Sequence, residues 1–537
     1  MSEAPAKQDE AKPAPRRPTL VPPPEPEPSL WRLVLPLVLA ALLPRLLVFF
    51  FTQNLYGDAV VRTDLAARWA NDPHFIRSFD DGAFQFGPLH LYLVGLALKL
   101  GLPQTDAGRW VSVLFGTLSV LPLFAISRRL YDWRAGVWAC LLFSVWGVHL
   151  QASTTAASEA LGLFLVLCLG WQLLKALQLG TFKPLFYAAL LTNLACAVRY
   201  DAWPFIPLLA VLLTFNGRDR VAGVTRGVLY LLMSLPFPLL WMHGNEVATG
   251  SAIFPIRYID DFHRNWATSE IAWMGQARFR VQSLFFWPGA ALVTFTPIAG
   301  ALGLYGFIRA CIKRPSLRWL GYWVLAPTLY YAVKSALLLS FVPLARFTLN
   351  QIVFVLPFVL YGFEALFGEA KPVVRRAVAG TGVALAVAFP LWLAFFTYYR
   401  EGRMQDALRP ISPVTTNPRP VMNVAQLLKR ELKGQSDGVV LDTDSEYRDL
   451  QVAFFSELPE TQLARYRWQP DPKKPDDHNS FPERLKTLTP RYIVLSAKGA
   501  LRNDARLSSE TNAVTFDGRK FSRVPGFDGP FFVYRAN

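Results

Sequence analysis

Residues 31–69 read WRLVLPLVLAALLPRLLVFFFTQNLYGDAVVRTDLAARW, an apolar run (31–51) followed within a few residues by the polar stretch YGDAVVRTDLAARW. About 20 predominantly apolar residues span a bilayer. The first run is therefore read as a membrane span, and the second opens the first extensive polar loop. Asp58 lies at the centre of that loop segment. A carboxylate just outside a hydrophobic helix, at a membrane face, can take a proton from an acceptor hydroxyl while a lipid presents the other substrate. Asp58 is thus a candidate catalytic base. The competing structural reading is that Asp58 only caps the helix beginning near Ala59, since Asp is a favoured N-cap residue.

The rest of the 537 residues supports a membrane setting. Hydrophobic residues make up 52% of the chain, more than an ordinary water-soluble surface requires. The net charge of +16 is spread over short loops between apolar runs and forms no basic stripe, so nucleic acid is excluded as a partner. Cys140, Cys168, Cys196 and Cys311 all lie in or beside apolar segments. That placement implies no disulfide framework, and without CxxC or HExxH spacing no zinc site.

Residues 1–30 form a Pro-rich, charged tail with almost no large apolar residue, expected to be disordered and cytoplasmic. Arg16 and Arg17 lack the flanks of a twin-arginine signal. Eleven apolar segments follow, at 31–51, 106–126, 135–151, 159–174, 184–198, 203–215, 226–242, 288–308, 319–341, 347–367 and 377–396. Every second connection is rich in Lys and Arg: Arg128, Arg129 and Arg134; Lys175 and Lys183; Arg218, Arg220 and Arg226; Arg309, Lys313, Arg314 and Arg318; Lys371, Arg375 and Arg376. By the positive-inside rule these face the cytoplasm with the N-terminus. The long connections 52–105 and 243–287, and everything after Tyr398, then lie outside. FGPLHLYLVGLALKLGL in the first outer loop is read as an interfacial helix, because a crossing there would move every later basic loop to the wrong side.

Residues 31–397 thus form the transmembrane domain, and 398–537 a small extracytoplasmic α/β domain. MNVAQLLKREL and EYRDLQVAFFSEL have helical spacing, while GVVLD, RYIVLS, KFSRV and FFVYR read as strands. QPDPKKPDDHNS, 469–480, reads as a loop. The domain lacks GxGxxG, Walker and GxSxG motifs, so its expected role is to cover the membrane site or to contact the acceptor.

Ionisable residues near membrane depth are costly and mark function or pairing. Glu159 follows the outer turn STTAAS at the start of the fourth segment, where a helix N-terminus also favours an acid. Arg199 and Asp201 flank Tyr200 at an outer hairpin, as substrate contacts or as an ion pair. Lys334 and Arg346 lie toward the outer end of the ninth segment and can together neutralise a phosphate, or snorkel to headgroups. Asp260, Asp261 and His263 contain ligand types for a divalent cation, but neighbours on one element do not all face one point. His74, His90 and His149 are scattered and are assigned no role.

In order, YGDAVVRTDLAARW, FGPLHLYLVGL, GRWVSVLFGTLSVLPLFAISRRLYDWRAG, TAASEALGLFLVL and PLARFTLNQIVFVLPF resemble the motifs of the GT-C superfamily. Within it, the resemblance is to the bacterial polyprenyl-phosphate-sugar-dependent enzymes related to protein O-mannosyltransferases and lipid A aminoarabinose transferases. It runs from about Trp31 to Phe396. It implies a polytopic all-α membrane fold in a bacterial inner membrane, with an undecaprenyl-phosphate-linked sugar as donor. The reaction implied is inverting transfer at the outer face to a protein, lipid or glycan hydroxyl. Asp58 matches the first-loop acid of that family and would be its base. The family often carries a second acid directly after the first; here that position is Ala59, and Asp64, six residues beyond Asp58, is the candidate substitute. Glu159 matches an acceptor- or sugar-binding position and Arg346 a lipid-phosphate position. Mannosyltransferase-type relatives need no metal and oligosaccharyltransferase-type relatives do, so no cofactor is expected and a divalent cation is the lesser alternative. From other functional classes, a flippase of lipid-linked sugars or an inactive envelope scaffold are the readings to be distinguished.

Overall fold

The computed structural model describes residues 29–54, 57–216, 219–400, 408–415, 417–443, 448–466, 481–510, 512–527 and 529–537. The N-terminal tail up to residue 28, Tyr56, the first two residues of EYRDLQVAFFSEL and the whole loop 469–480 lie outside these.

All eleven apolar segments fall on helix, but they differ in length. Leu30–Phe51, Gln104–Leu130, Glu159–Leu179, Ala345–Phe367 and Pro372–Tyr399 are long and apolar enough to cross a membrane singly. Two more candidates are bent pairs, Trp133–Ser144 with Gly147–Ser153 at 66° and Arg220–Ser234 with Pro236–Thr249 at 40°. Among the described residues this makes five candidate spans, or up to seven. The other expected spans are shorter or divided. Segment 184–198 becomes Phe182–Cys196 and 203–215 becomes Phe205–Phe215. Segment 319–341 continues from Arg318–Ala332 into the π turn Val333–Leu337. Segment 288–308 is split between Gln276–Val293 and Pro297–Lys313. The split has a local cause: the Thr296 side chain caps the second helix by accepting from the Ala299 N–H at 3.3 Å, with Pro297 behind it at the first helical position.

FGPLHLYLVGLALKLGL holds the helix Pro88–Lys99, only 12 residues long. At about 1.5 Å per residue it is too short to cross the roughly 30 Å hydrocarbon core.

The outermost and innermost helices differ in burial. About a fifth of the most apolar window of Leu30–Phe51 and of Pro372–Tyr399 is buried by protein, against 67% for Glu159–Leu179. The first two therefore turn most of their surface to lipid. The buried residues of Leu30–Phe51, namely Leu37, Ala41, Arg45 and Phe49, recur every four residues and form one stripe against the bundle. Close helix approach is provided by small residues. At Gly306 a Cβ would stand 2.3 Å from the Phe358 carbonyl oxygen, so only glycine lets Pro297–Lys313 pack at this distance.

The C-terminal domain holds one seven-stranded sheet in the order β2-β1-β3-β7-β6-β5-β4. Its strands are β1 Gly438–Asp442, β2 Leu463–Tyr466, β3 Pro490–Ser496, β4 Leu507–Ser509, β5 Ala513–Phe516, β6 Arg519–Arg523 and β7 Phe531–Ala536. β1 pairs in parallel with β2 and β3, and the remaining pairs are antiparallel. The helix Arg419–Leu432 lays Val421, Val424, Ala425, Leu428 and Leu432 against one face of the sheet. GVVLD, RYIVLS, KFSRV and FFVYR are strands as expected; β2, β4 and β5 are additional. Helix Arg448–Ser456 of this domain contacts helix Gly57–Asn71, which carries Asp58.

Candidate functional site

Asp58 occupies the first turn of Gly57–Asn71. Its Oδ2 meets Arg346 Nη1 at 3.2 Å, with both side chains about one-third exposed. Arg346 is presented by a 3-10 turn, Ala345–Thr348, between the π turn and the next apolar helix. The same Nη1 stands 3.8 Å from Glu159 Oε1.

Glu159 begins Glu159–Leu179 and its side chain is almost fully buried. The helix N-terminus favours a negative charge there. Its Oε1 meets Arg199 Nη1 at 2.8 Å. Arg199 Nε in turn donates to both oxygens of Asp201, at 3.0 and 3.1 Å, and Nη1 donates to Ser158 Oγ at 3.2 Å. Asn350 Nδ2 reaches Asp201 Oδ2 at 3.5 Å. A Cβ on Gly162 would come within 2.9 Å of Arg199 Cδ, so that glycine makes room for the arginine stem.

Five of the seven residues singled out from sequence therefore form one chain of alternating charge, Asp58–Arg346–Glu159–Arg199–Asp201. The arrangement offers a partly exposed carboxylate beside a partly exposed guanidinium, backed by a buried acid that holds both arginines.

The other two lie outside this chain of ion pairs. Asp64 pairs with Arg68 one turn along its own helix at 2.5 Å, with side chains 48% and 74% exposed. It faces away from the cluster, because six residues along a helix correspond to about 240° of rotation from Asp58. Lys334 is paired with Asp260, whose other oxygen accepts from Arg264 Nη2 at 3.0 Å. Burial raises the Asp260 carboxyl, but the hydrogen bond and charge of Lys334, and then those of Arg264, outweigh it and hold the group below its ordinary value.

His263 lies on the same helix as Asp260, Phe254–Met274, but is buried among rings, 4.3 Å from Phe341 and 5.8 Å from Phe347 between centroids. Burial, followed by the positive charges of Arg346 and Lys334, pushes its imidazole down to about 4. No group of three or more His, Cys, Asp or Glu side chains able to hold an ion occurs among the described residues.

Arg62 and Asn350 were missed by sequence reading. Arg62 is buried one helical turn after Asp58, with its guanidinium 3.7 Å from the Phe86 ring centroid, and it acts electrostatically on Glu159. Both residues sit four positions after a recognised site residue, Arg62 after Asp58 and Asn350 after Arg346. A helical i, i+4 search from each candidate would have found them. His90, assigned no role, is buried within electrostatic reach of Arg62, Glu159 and Arg199.

A long-helix bundle with its ionic cluster at the helix mouths and a C-terminal mixed sheet is the GT-C fold, borne out by comparison with known proteins. Residues 85–241 match the family described as dolichyl-phosphate-mannose-protein mannosyltransferase. No curated protein matches the chain by sequence. Among solved structures, it is similar to ArnT from Cupriavidus metallidurans bound to undecaprenyl phosphate, with a TM-score of 0.59 and 13% identity over 94% of this chain and 98% of that one. The apo state of that ArnT gives 0.60 at 12% identity, covering 93% and 97%. The Archaeoglobus fulgidus oligosaccharyltransferase in complex with Zn and sulfate gives 0.52 at 13% identity, covering 86% of this chain and 68% of that one. The resemblance to GT-C glycosyltransferases drawn from the motifs thus holds at the level of the whole architecture, and the chain is an integral membrane protein.

Proposed function

We propose that the protein is a membrane glycosyltransferase that moves a sugar from a polyprenyl-phosphate-linked donor to an acceptor hydroxyl at the outer face of the membrane. The observation that carries this reading is the contact of Asp58 with Arg346, itself held against buried Glu159. Asp58 takes the hydroxyl proton as the acceptor oxygen attacks the anomeric carbon. The bond from that carbon to the phosphate oxygen breaks, and the phosphate leaves with the electron pair. Arg346, whose planar fork suits phosphate oxygens, exchanges its hold on Asp58 for the leaving phosphate. A single displacement of this kind inverts the anomeric carbon and needs no covalent glycosyl intermediate.

Lys334 is engaged by Asp260 and stands as a second cation near the site. It anchors the outer helix Phe254–Met274 beside the site. Glu159, Arg199 and Asp201 form the supporting layer that aims Arg346 and contacts the sugar or acceptor. The reading needs no metal cofactor, since Asp58 and Arg346 by themselves supply the base and the phosphate counter-charge. ArnT is seen with undecaprenyl phosphate, the carrier chemistry this reading requires, and a bacterial inner membrane with the C-terminal domain in the periplasm follows from the same reading and the charge asymmetry of the loops.

The test is transfer from a panel of polyprenyl-phosphate sugars by purified protein in lipid, with Asp58→Asn and chelator in parallel. Donor-dependent transfer lost in the variant and unaffected by chelator is the expected result. A folded protein that consumes no donor overturns it and turns attention to lipid movement.

A further inference from the structure

Asn54 is fully buried four residues before Asp58, and its amide ties three parts of the chain together. Nδ2 donates to Thr154 Oγ1 at 2.7 Å and to the Pro413 carbonyl at 2.8 Å, while Oδ1 accepts from the Thr415 N–H at 3.0 Å. Both amide hydrogens and the carbonyl oxygen are thus engaged, a pattern that neither Asp nor Leu of similar size can reproduce. Thr154 stands five residues before Glu159. The Asp58 and Glu159 segments, joined at the site by Arg346, are therefore joined a second time behind it by Asn54.

The third part, residues 409–415, is the chain that descends from the last apolar helix toward the C-terminal sheet. It closes over the same place. Gln151 Nε2 donates to the carbonyls of Arg409 at 3.0 Å and Ser412 at 2.9 Å. Thr397, near the end of Pro372–Tyr399, shares a hydroxyl contact of 2.8 Å with Ser412. The approach is too close for any side chain but hydrogen at Gly147, where a Cβ would lie 2.5 Å from the Ile411 carbonyl oxygen. Buried Arg109 reinforces the junction, donating to the carbonyls of Thr154 at 3.0 Å, Phe49 at 2.6 Å and Thr52 at 2.9 Å.

We infer that Asn54 is a positioning residue and that residues 409–415, latched by Asn54 and Gln151, set the placement of Asp58 relative to Glu159, so that the C-terminal domain is coupled to the site through this strap. The inference rests on the glycosyltransferase reading for its kinetic consequence and on geometry alone for its structural one. Asn54 touches no reacting atom; it acts through Asp58. Reactions of this type depend steeply on placement, where about 1 Å of displacement costs on the order of 100-fold in rate.

The experiment compares Asn54→Asp, which keeps the volume but loses both donors, with Gln151→Ala, which loosens the strap without touching Asn54. Transfer rate, donor KM and hydrogen exchange are measured on the folded full-length protein in lipid. Expected are a kcat lowered about 10- to 100-fold in Asn54→Asp and less in Gln151→Ala, with donor KM within about twofold. Amides of Gly57–Asn71 should exchange faster in both variants while those of Glu159–Leu179 do not. A purely structural Asn54 would lower the yield of folded protein but leave kcat per folded molecule and the exchange of Gly57–Asn71 at wild-type values, and that result overturns the inference. If wild type transfers no sugar at all, the proposed function fails while the exchange measurement still decides the latch.

Discussion

Arg346 Nη1 lies 3.2 Å from Asp58 Oδ2 although 288 residues separate them in the chain. Their contact closes the helix Gly57–Asn71 onto the mouth of a late apolar helix. It pairs the proposed base with the proposed phosphate ligand.

Asp58→Asn should lower kcat by about 100-fold or more, the usual contribution of a positioned base, with little loss of stability because the side chain is one-third exposed. A transfer assay alongside thermal unfolding separates the two effects. Wild-type turnover by the variant would exclude Asp58 as the base.

Arg346→Ala should raise donor KM about 10- to 100-fold, the range of a charge-assisted contact to phosphate. Arg346→Lys should recover only part of this, since an ammonium lacks the planar fork. Titration of donor at saturating acceptor checks both variants. An unchanged donor KM would move the phosphate away from this residue.

Arg199→Ala should destabilise the fold by about 3 kcal/mol, because it strands buried Glu159 and Asp201 without their shared counter-ion. Glu159 retains Arg346 at 3.8 Å, which keeps the loss near the lower end expected for a broken buried pair. Thermal unfolding in detergent is the measurement.

Asp64→Asn should leave kcat within about twofold of wild type and stability within about 0.5 kcal/mol, since an exposed i, i+4 pair contributes no more than that. A large loss of transfer would restore Asp64 as the second acid of the first loop.

Stability should fall in acid through His263. Its folded-state value is about 4 against 6.5 for the free group, so the native state favours the neutral imidazole. That contribution is fully present above pH 6.5, declines as pH falls, and is lost by about pH 4, to a total of roughly 3 kcal/mol. Denaturant unfolding from pH 7 to pH 4 should show a shallower decline for His263→Phe than for wild type.

Much of this architecture is visible in the residues. An apolar run as long as a bilayer is thick, such as 31–51, can only be a span or deep core, and the basic loops mark where such runs end. The periodic face of Arg419–Leu432 and the buried run GVVLD likewise carry their own structure. The break at Thr296 and Pro297 was legible too, as a cap followed by a helix-starting proline, but hydropathy averaged across it hides the signal. Short edge strands such as β4 carry no pattern strong enough to declare them.

The candidate site divides in the same way. Sequence by itself determined the residue types and their place beside the ends of apolar helices, because a charge there is expensive wherever the chain folds. Only the tertiary structure decided who pairs with whom. Arg346 turned to Asp58 and Glu159, Lys334 to Asp260, and Asp64 to its own helix. Asn54 met Thr154 and residues 413 and 415. These are contacts over tens to hundreds of residues, set by how helices cross and where the chain returns, and no local propensity contains that information. Charge marks where a partner is required; packing decides which partner arrives.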